Sequence, residues 1–440
     1  MTPAMTKAKL DGLYLLLLGS VVFVLLGTVL ANTSPVAMGD FRGLYYPARC
    51  LIHNCDPYME SEVAKVTHAE GGDRAWDAAH NSYFSRYIYF PPAFSVTVPI
   101  ALLPWAPAHL LWTALTMTSL IFASFLIWSL AADYSPTLSG ALAGLLLVST
   151  ESLVVLGNSA GVAIGLCVVG AWCFLRERFV AAGVVCLAVS LIIKPQDAGL
   201  VWLYFLLAGG VYRRRAIQTL LAVVALSLPS LLWVWHVSPH WIQEMHANVL
   251  AFSAPGGSMD PGVASSGVFG LGLLISLQTV FSFFRNDPHF YNPASYLVCL
   301  PPLLIWGAVT MRSRNSEAKH WMALASIAAL SMLPVYHRQD DARLLLLAVP
   351  ACAMLWAGGG MVGRLGLLVT SVAIVLTGDL PWAVLMGVIG ALHLSGTGMV
   401  GRMLPALQVF LIPLTLLVAG VFYLCIYARR ASENAPPQVF

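Results

Sequence analysis

Four short polar clusters interrupt long apolar runs, and the residue types in them could do chemistry together. Asp40 stands in Met38-Gly-Asp-Phe-Arg-Gly-Leu-Tyr-Tyr46, just beyond the first apolar run. A carboxylate there can serve as a general base toward a hydroxyl, or as the N-cap of the helix that follows. Gly157-Asn158-Ser159 separates two further runs, either as an ordinary turn or as a polar lining. Lys194-Pro195-Gln196-Asp197 closes the run Val180 to Ile193. A lysine at such an end can snorkel toward headgroups, whereas a proline directly after it fixes where the ammonium sits. The densest cluster is Tyr336-His337-Arg338-Gln339-Asp340-Asp341-Ala342-Arg343, with six ionisable residues in eight positions. Ionisable groups flanked so closely by apolar helices are expensive to place and usually mark a site. His337 and Arg338 together suit an anion such as a phosphate. Asp340 and Asp341 would suit a divalent cation, but His337, Arg338 and Arg343 already neutralise them, so no metal is expected.

The elements that position these clusters must be membrane helices. Hydrophobic residues make up 59% of the 440-residue chain and charged residues only 10%. Soluble domains carry about a quarter charged residues, so most of this surface cannot face water. The expected fold is all-α: one polytopic membrane domain over 1–440, with about twelve transmembrane helices of roughly 20 residues each. The expected spans are 13–30, 107–131, 137–156, 159–175, 179–194, 197–212, 216–236, 295–311, 320–336, 343–360, 365–378 and 404–427. Stretches 268–284 and 381–400 are expected at the interface or as re-entrant hairpins. With the N-terminus inside, Lys7, Lys9, Arg176, Arg178, Arg213 to Arg215, Arg312, Arg314, Lys319, Arg364, Arg429 and Arg430 all fall on the cytoplasmic side. That is the positive-inside pattern, and it puts all four polar clusters on the other face.

Two segments then lie outside the membrane on the far side: 32–106 and 237–294. The first is aromatic-rich, which argues for order, and Phe41 to Ile52 and Trp76 to Tyr87 have the pattern of short amphipathic helices at headgroup depth. Pro92 to Leu103 is too short to span and is expected as a half-helix. Cys50 and Cys55 lie in this loop, as a disulfide or as two free thiols. The other six cysteines lack metal-ligand spacing and are expected to pack.

The order of these clusters resembles glycosyltransferase family 87 of the GT-C superfamily, the polyprenyl-phosphate-mannose-dependent mannosyltransferases. The resemblance rests on Asp40 with Tyr45-Tyr46, Asp56-Pro57-Tyr58, Tyr89-Phe90-Pro91-Pro92, Gly157-Asn158, Ile193-Lys194-Pro195, and Tyr336-His337-Arg338 with Asp340-Asp341. It runs from about residue 10 to about residue 360 and implies a GT-C-type helical bundle. It also implies an inverting transfer of a sugar, mannose first, from a polyprenyl-phosphate donor to a lipid-linked or glycan acceptor. Asp40 would be the base, and Lys194, His337 and Arg338 would face the donor phosphate. Tyr45, Tyr89, Asn158, Gln196, Asp340 and Asp341 would shape the sugar and acceptor pocket. The resemblance places the chain in the cytoplasmic (inner) membrane, with its active site on the extracytoplasmic face. No cofactor is implied, and the sequence carries no Walker loop or dinucleotide fingerprint. The alternative from another class is a secondary transporter or lipid flippase, which would want internal repeats and ionisable groups near the midplane.

Overall fold

A computed structural model describes residues 3–34, 37–71, 85–262, 274–313, 316–391 and 399–433. The elements are helical; among the described residues the only strand-like pairing is a single antiparallel bridge between Leu274 and Arg338. Helix α1 (Pro3–Thr33) leads to two short helices, α2 (Gly39–Ile52) and α3 (Glu60–Ala69). A 3₁₀ turn at Pro91–Ala93 opens the half-helix α4 (Phe94–Ala101). Next come α5 (Trp105–Ala131), α6 (Pro136–Val148), the six-residue α7 (Glu151–Leu156) and α8 (Ala160–Leu175). They are followed by α9 (Val180–Ile193), α10 (Pro195–Ala208), α11 (Gly210–Val237) and α12 (Trp241–Ser253). The last part holds α13 (Leu277–Phe284), α14 (Pro288–Arg312), α15 (Glu317–Leu330), a 3₁₀ segment Gln339–Ala348 and α16 (Val349–Ala357). It ends with α17 (Gly360–Leu376), α18 (Asp379–Ala391) and α19 (Met399–Glu433).

Among the described residues, five stretches are long and apolar enough to cross a bilayer: Met5–Thr33, Trp105–Ala131, Gly210–Val237, Pro288–Arg312 and Val409–Ala431. The chain is therefore a multi-pass membrane protein. Several of the other expected spans are shorter helices. The 16 residues of α8 rise about 24 Å, less than the roughly 30 Å hydrocarbon core. The expected span 343–360 departs from a single α-helix, because it starts inside the 3₁₀ segment and straightens only at Val349. The half-helix expected after Pro92 is α4; a helix, α2, covers Phe41 to Ile52, but its aromatics Phe41, Tyr45 and Tyr46 are buried within the protein rather than facing headgroups. Most of the helix expected over Trp76 to Tyr87 falls outside the described residues, as does part of 381–400. Cys50 and Cys55 form a disulfide, and the remaining cysteines are free.

Glycine decides how α1 meets α6. A Cβ on Gly19 would sit 2.6 Å from the Gly144 backbone, and one on Gly144 would sit 2.8 Å from the Leu15 carbonyl oxygen. Gly12 and Gly140 face each other just as closely. With no side chains between them the two backbones touch, as small residues allow wherever membrane helices associate.

One end of the bundle gathers basic groups. Lys9 Nζ and Arg176 Nη2 lie 3.1 and 3.7 Å from the Asp133 carboxylate, and Arg215 Nη1 donates to the Phe174 carbonyl at 2.5 Å. Helix α8 runs from that end to Asn158, so the polar clusters collect at the opposite end.

Candidate functional site

At that opposite end the four clusters converge. Helix α2 has its N-cap at Met38, in the left-handed region (φ 59°), without a side-chain cap, and Asp40 lies in its first turn. Asp40 is therefore not the capping residue; its Oδ2 accepts from Asn158 Nδ2 at 2.6 Å. Arg338 Nη1 stands 3.9 Å from the same oxygen. The turn that delivers Asn158 depends on Gly157, which terminates α7 at φ 63°. A Cβ there would meet Phe41 Cβ at 2.8 Å and Met38 Sδ at 3.0 Å. Met38 N donates to Val155 O at 2.6 Å, and Trp112 Nε1 donates to Gly157 O at 2.8 Å, so α2, α5 and α7 are tied at one point.

Lys194 sits at the joint between α9 and α10, outside helical geometry (φ −144°, ψ 82°), with Pro195 starting the next helix. Its side chain is only 7% exposed and pairs with Asp341, with Asp197 3.8 Å away. Asp341 Oδ2 also accepts from the Arg338 backbone N–H at 2.9 Å.

These groups surround one cavity of about 470 Å³. Asp40, Asn158, Lys194, Gln196, Tyr89, Tyr336, Arg338 and Arg86 contribute its polar lining. Leu191, Ile192, Val223, Val249, Phe252 and Met259 supply an apolar wall. Helix α12, which carries Val249 and Phe252, is pinned by Asn248 Nδ2 donating to the Tyr58 and Tyr87 carbonyls at 3.0 and 3.1 Å. Tyr89 is held by its hydroxyl, 3.2 Å from Ser159 Oγ. The volume and the mix of a mostly apolar wall with a few convergent polar groups fit a small-molecule site.

Not every expected site residue reaches the cavity. Tyr45 is buried, donates its hydroxyl to the Leu103 carbonyl at 3.0 Å and packs on Trp105, so it braces α2 instead. Five positions beyond Asp40 it points about 140° away around the helix, whereas Gly43, three positions on, does line the cavity. His337 is also turned away. The chain is extended here, with Ile275 N bonding to His337 O at 3.0 Å, so successive side chains alternate. Tyr336 and Arg338 face the cavity, while His337 Nε2 points to Asp197 Oδ1 at 3.4 Å. Its Nδ1 donates to the Val335 carbonyl at 3.1 Å. Burial works against the imidazolium, but Asp197 and Asp341 outweigh it and raise the His337 pKa. Asp340 and Asp341 lie behind the lining, 0% and 1% exposed.

Asp197 is the principal residue that the sequence reading left without a role. One of its oxygens, an Asp341 oxygen and a His337 ring nitrogen lie within 4.8 Å of one another, a spacing that could hold a cation. The Lys194 ammonium already supplies that charge.

The family model described as glycosyltransferase family 87 matches residues 87–335, more than half of the chain. The chain belongs to glycosyltransferase family 87. This family 87 protein is therefore a membrane enzyme that transfers glycosyl groups, and the transporter reading falls away. The match takes in Tyr89, Asn158, Lys194 and Gln196; Arg338 lies just past its C-terminal end, whereas Asp40, which shares their cavity, lies well before its N-terminal end. No curated protein and no solved structure matches the chain.

Proposed function

We propose that the protein moves a sugar, mannose first among the options, from a polyprenyl-phosphate donor to a hydroxyl of a lipid-linked or glycan acceptor. The reaction takes place on the extracytoplasmic face of the inner membrane. Asp40 takes the acceptor proton as the hydroxyl oxygen attacks the anomeric carbon from the side opposite the phosphate. The bond from that carbon to the phosphate oxygen breaks, the configuration inverts, and polyprenyl phosphate leaves with the electron pair. Lys194 and Arg338 meet the charge that develops on the phosphate. His337 and Asp197 act one layer behind, holding the ground on which Lys194 stands. The apolar wall receives the first isoprene units.

One observation carries this reading: the Asp40 carboxylate and the Lys194 and Arg338 cations line the same mostly apolar cavity. A base and an anion site that close together suit displacement at a carbon bearing a phosphate. The test is incubation of purified protein with polyprenyl-phosphomannose and a panel of lipid-linked and glycan acceptors, for the wild type and Asp40→Asn. Losing a general base costs roughly 10²–10⁴-fold. The expected result is transfer by the wild type, a loss of that size in the variant, and donor binding retained. Activity of Asp40→Asn within a few-fold of wild type would remove Asp40 from this role.

A further inference from the structure

Asn158 is expected to read the sugar, yet its hydrogen bonds are already committed. Its Oδ1 accepts from the Ala160 backbone N–H at 2.9 Å, which fixes the amide the right way round. Nδ2 must then face the two acids: Asp40 Oδ2 at 2.6 Å and Asp340 Oδ2 at 3.4 Å. Asp340 has no exposure and does not line the cavity. Its other oxygen accepts from Ser152 Oγ at 2.5 Å. A line of contacts thus runs from Ser152 through Asp340 and Asn158 to Asp40, and only its last two members touch the cavity.

We propose that Asn158 and Asp340 are positioning residues for the Asp40 base, with Asp340 acting solely through the Asn158 amide. This rests on Asp40 being the base. The amide holds one carboxylate oxygen of Asp40 and so sets the plane in which the carboxylate meets the acceptor hydroxyl. Asp340 takes the second amide hydrogen and stops the amide from rotating. What Asp340 supplies is a hydrogen-bond acceptor, which an amide oxygen can also supply while its amino group turns to Ser152 Oγ.

The experiment measures kcat and donor KM for Asp340→Ala, Asp340→Asn, Asn158→Ala and the double variant Asn158→Ala/Asp340→Ala, with Asp40→Asn as the reference. Small misplacements of a reacting group cost up to about 10²-fold. Asp340→Ala should lower kcat about tenfold with donor KM unchanged, and Asp340→Asn should restore most of it. Asn158→Ala should lose at least as much, and the second substitution should add nothing to it. If Asn158→Ala does not fold, the contrast between Asp340→Ala and Asp340→Asn still decides. A raised donor KM at unchanged kcat would make Asn158 a sugar reader and overturn the proposal. Additive losses, or an Asp340→Asn enzyme as poor as Asp340→Ala, would overturn it too. An active Asp40→Asn enzyme overturns the base assignment and this proposal together. An inactive one with additive losses at Asn158 and Asp340 overturns the positioning role alone.

Discussion

Asp340 carries a cost that its surroundings make measurable. Burial, then the nearby Asp379 carboxylate, push its pKa up to about 7, despite the Ser152 hydroxyl that bonds to it. Between about pH 4 and pH 7 the folded protein therefore holds a proton that the unfolded chain has released, and stability falls as pH rises through that window. Above pH 7 the penalty is complete. Asp340→Asn removes it, so the variant should unfold at a higher temperature than wild type at pH 8, with the gain vanishing toward pH 4. Thermal unfolding in detergent across that range checks the sign; a gain that is larger at pH 5 than at pH 8 would contradict it. At this scale the sequence disclosed which residues gather at one cavity better than it disclosed their partners. Charges among apolar runs stand out because burial makes them expensive, and Asp40, Lys194 and Arg338 were legible for that reason. That Lys194 pairs with Asp341 was not, since 147 positions separate them.

Among the elements, the breaks between helices position the site more than the helices themselves do. Gly157 is the sharpest case, because its left-handed backbone and the closeness of Phe41 both exclude a side chain. Gly157→Ala should cost about 1–2 kcal/mol for the backbone alone, and more for the contact with Phe41. Activity should fall with it, because Asn158 is the next residue. Gly199, in α10, has open space within 4 Å of where a Cβ would stand, so Gly199→Ala should leave stability and activity close to wild type. Equal effects of the two substitutions would show that Gly157 is not the pivot. The sequence revealed these breaks as polar or glycine interruptions. It hid how helices face one another, as in the α1–α6 seam, because helices apolar on every side carry little directional pattern. Tyr45 shows the other limit: the resemblance placed it in the pocket with Asp40, where counting residues per turn would have turned it away.

Across the whole molecule, the two ends differ in charge as the positive-inside rule asks. Lys9, Arg176 and Arg215 belong to one end, and Asp40 and its neighbours to the other. A reporter inserted near Arg214 and one fused after Arg430 should both read as cytoplasmic, and one near Gly71 should not. A cytoplasmic signal at Gly71 would place the cavity on the wrong side for the extracytoplasmic lipid-phosphate donor proposed above. The multi-pass architecture was plain from composition, whereas the length of each crossing was not. Short helices such as α8 can end inside protein, and hydropathy alone does not say where.

The ion pair between Lys194 and Asp341 also bears on how fast the enzyme can let go. If Lys194 meets the donor phosphate as proposed, an incoming phosphate must draw the ammonium from its carboxylate, and after transfer the carboxylate competes to take it back. On that reading Asp341 is an internal rival of the spent lipid phosphate that weakens retention of the product. Asp341→Asn keeps an acceptor for the Arg338 backbone N–H and leaves Asp197 near Lys194, so the ammonium is not stranded. A charge-assisted hydrogen bond is worth roughly 1.5–3 kcal/mol. Polyprenyl phosphate should then inhibit the variant at about tenfold lower concentration, with steady-state turnover slowed and the first turnover preserved. Inhibition constants equal to wild type would show that Asp341 does not compete.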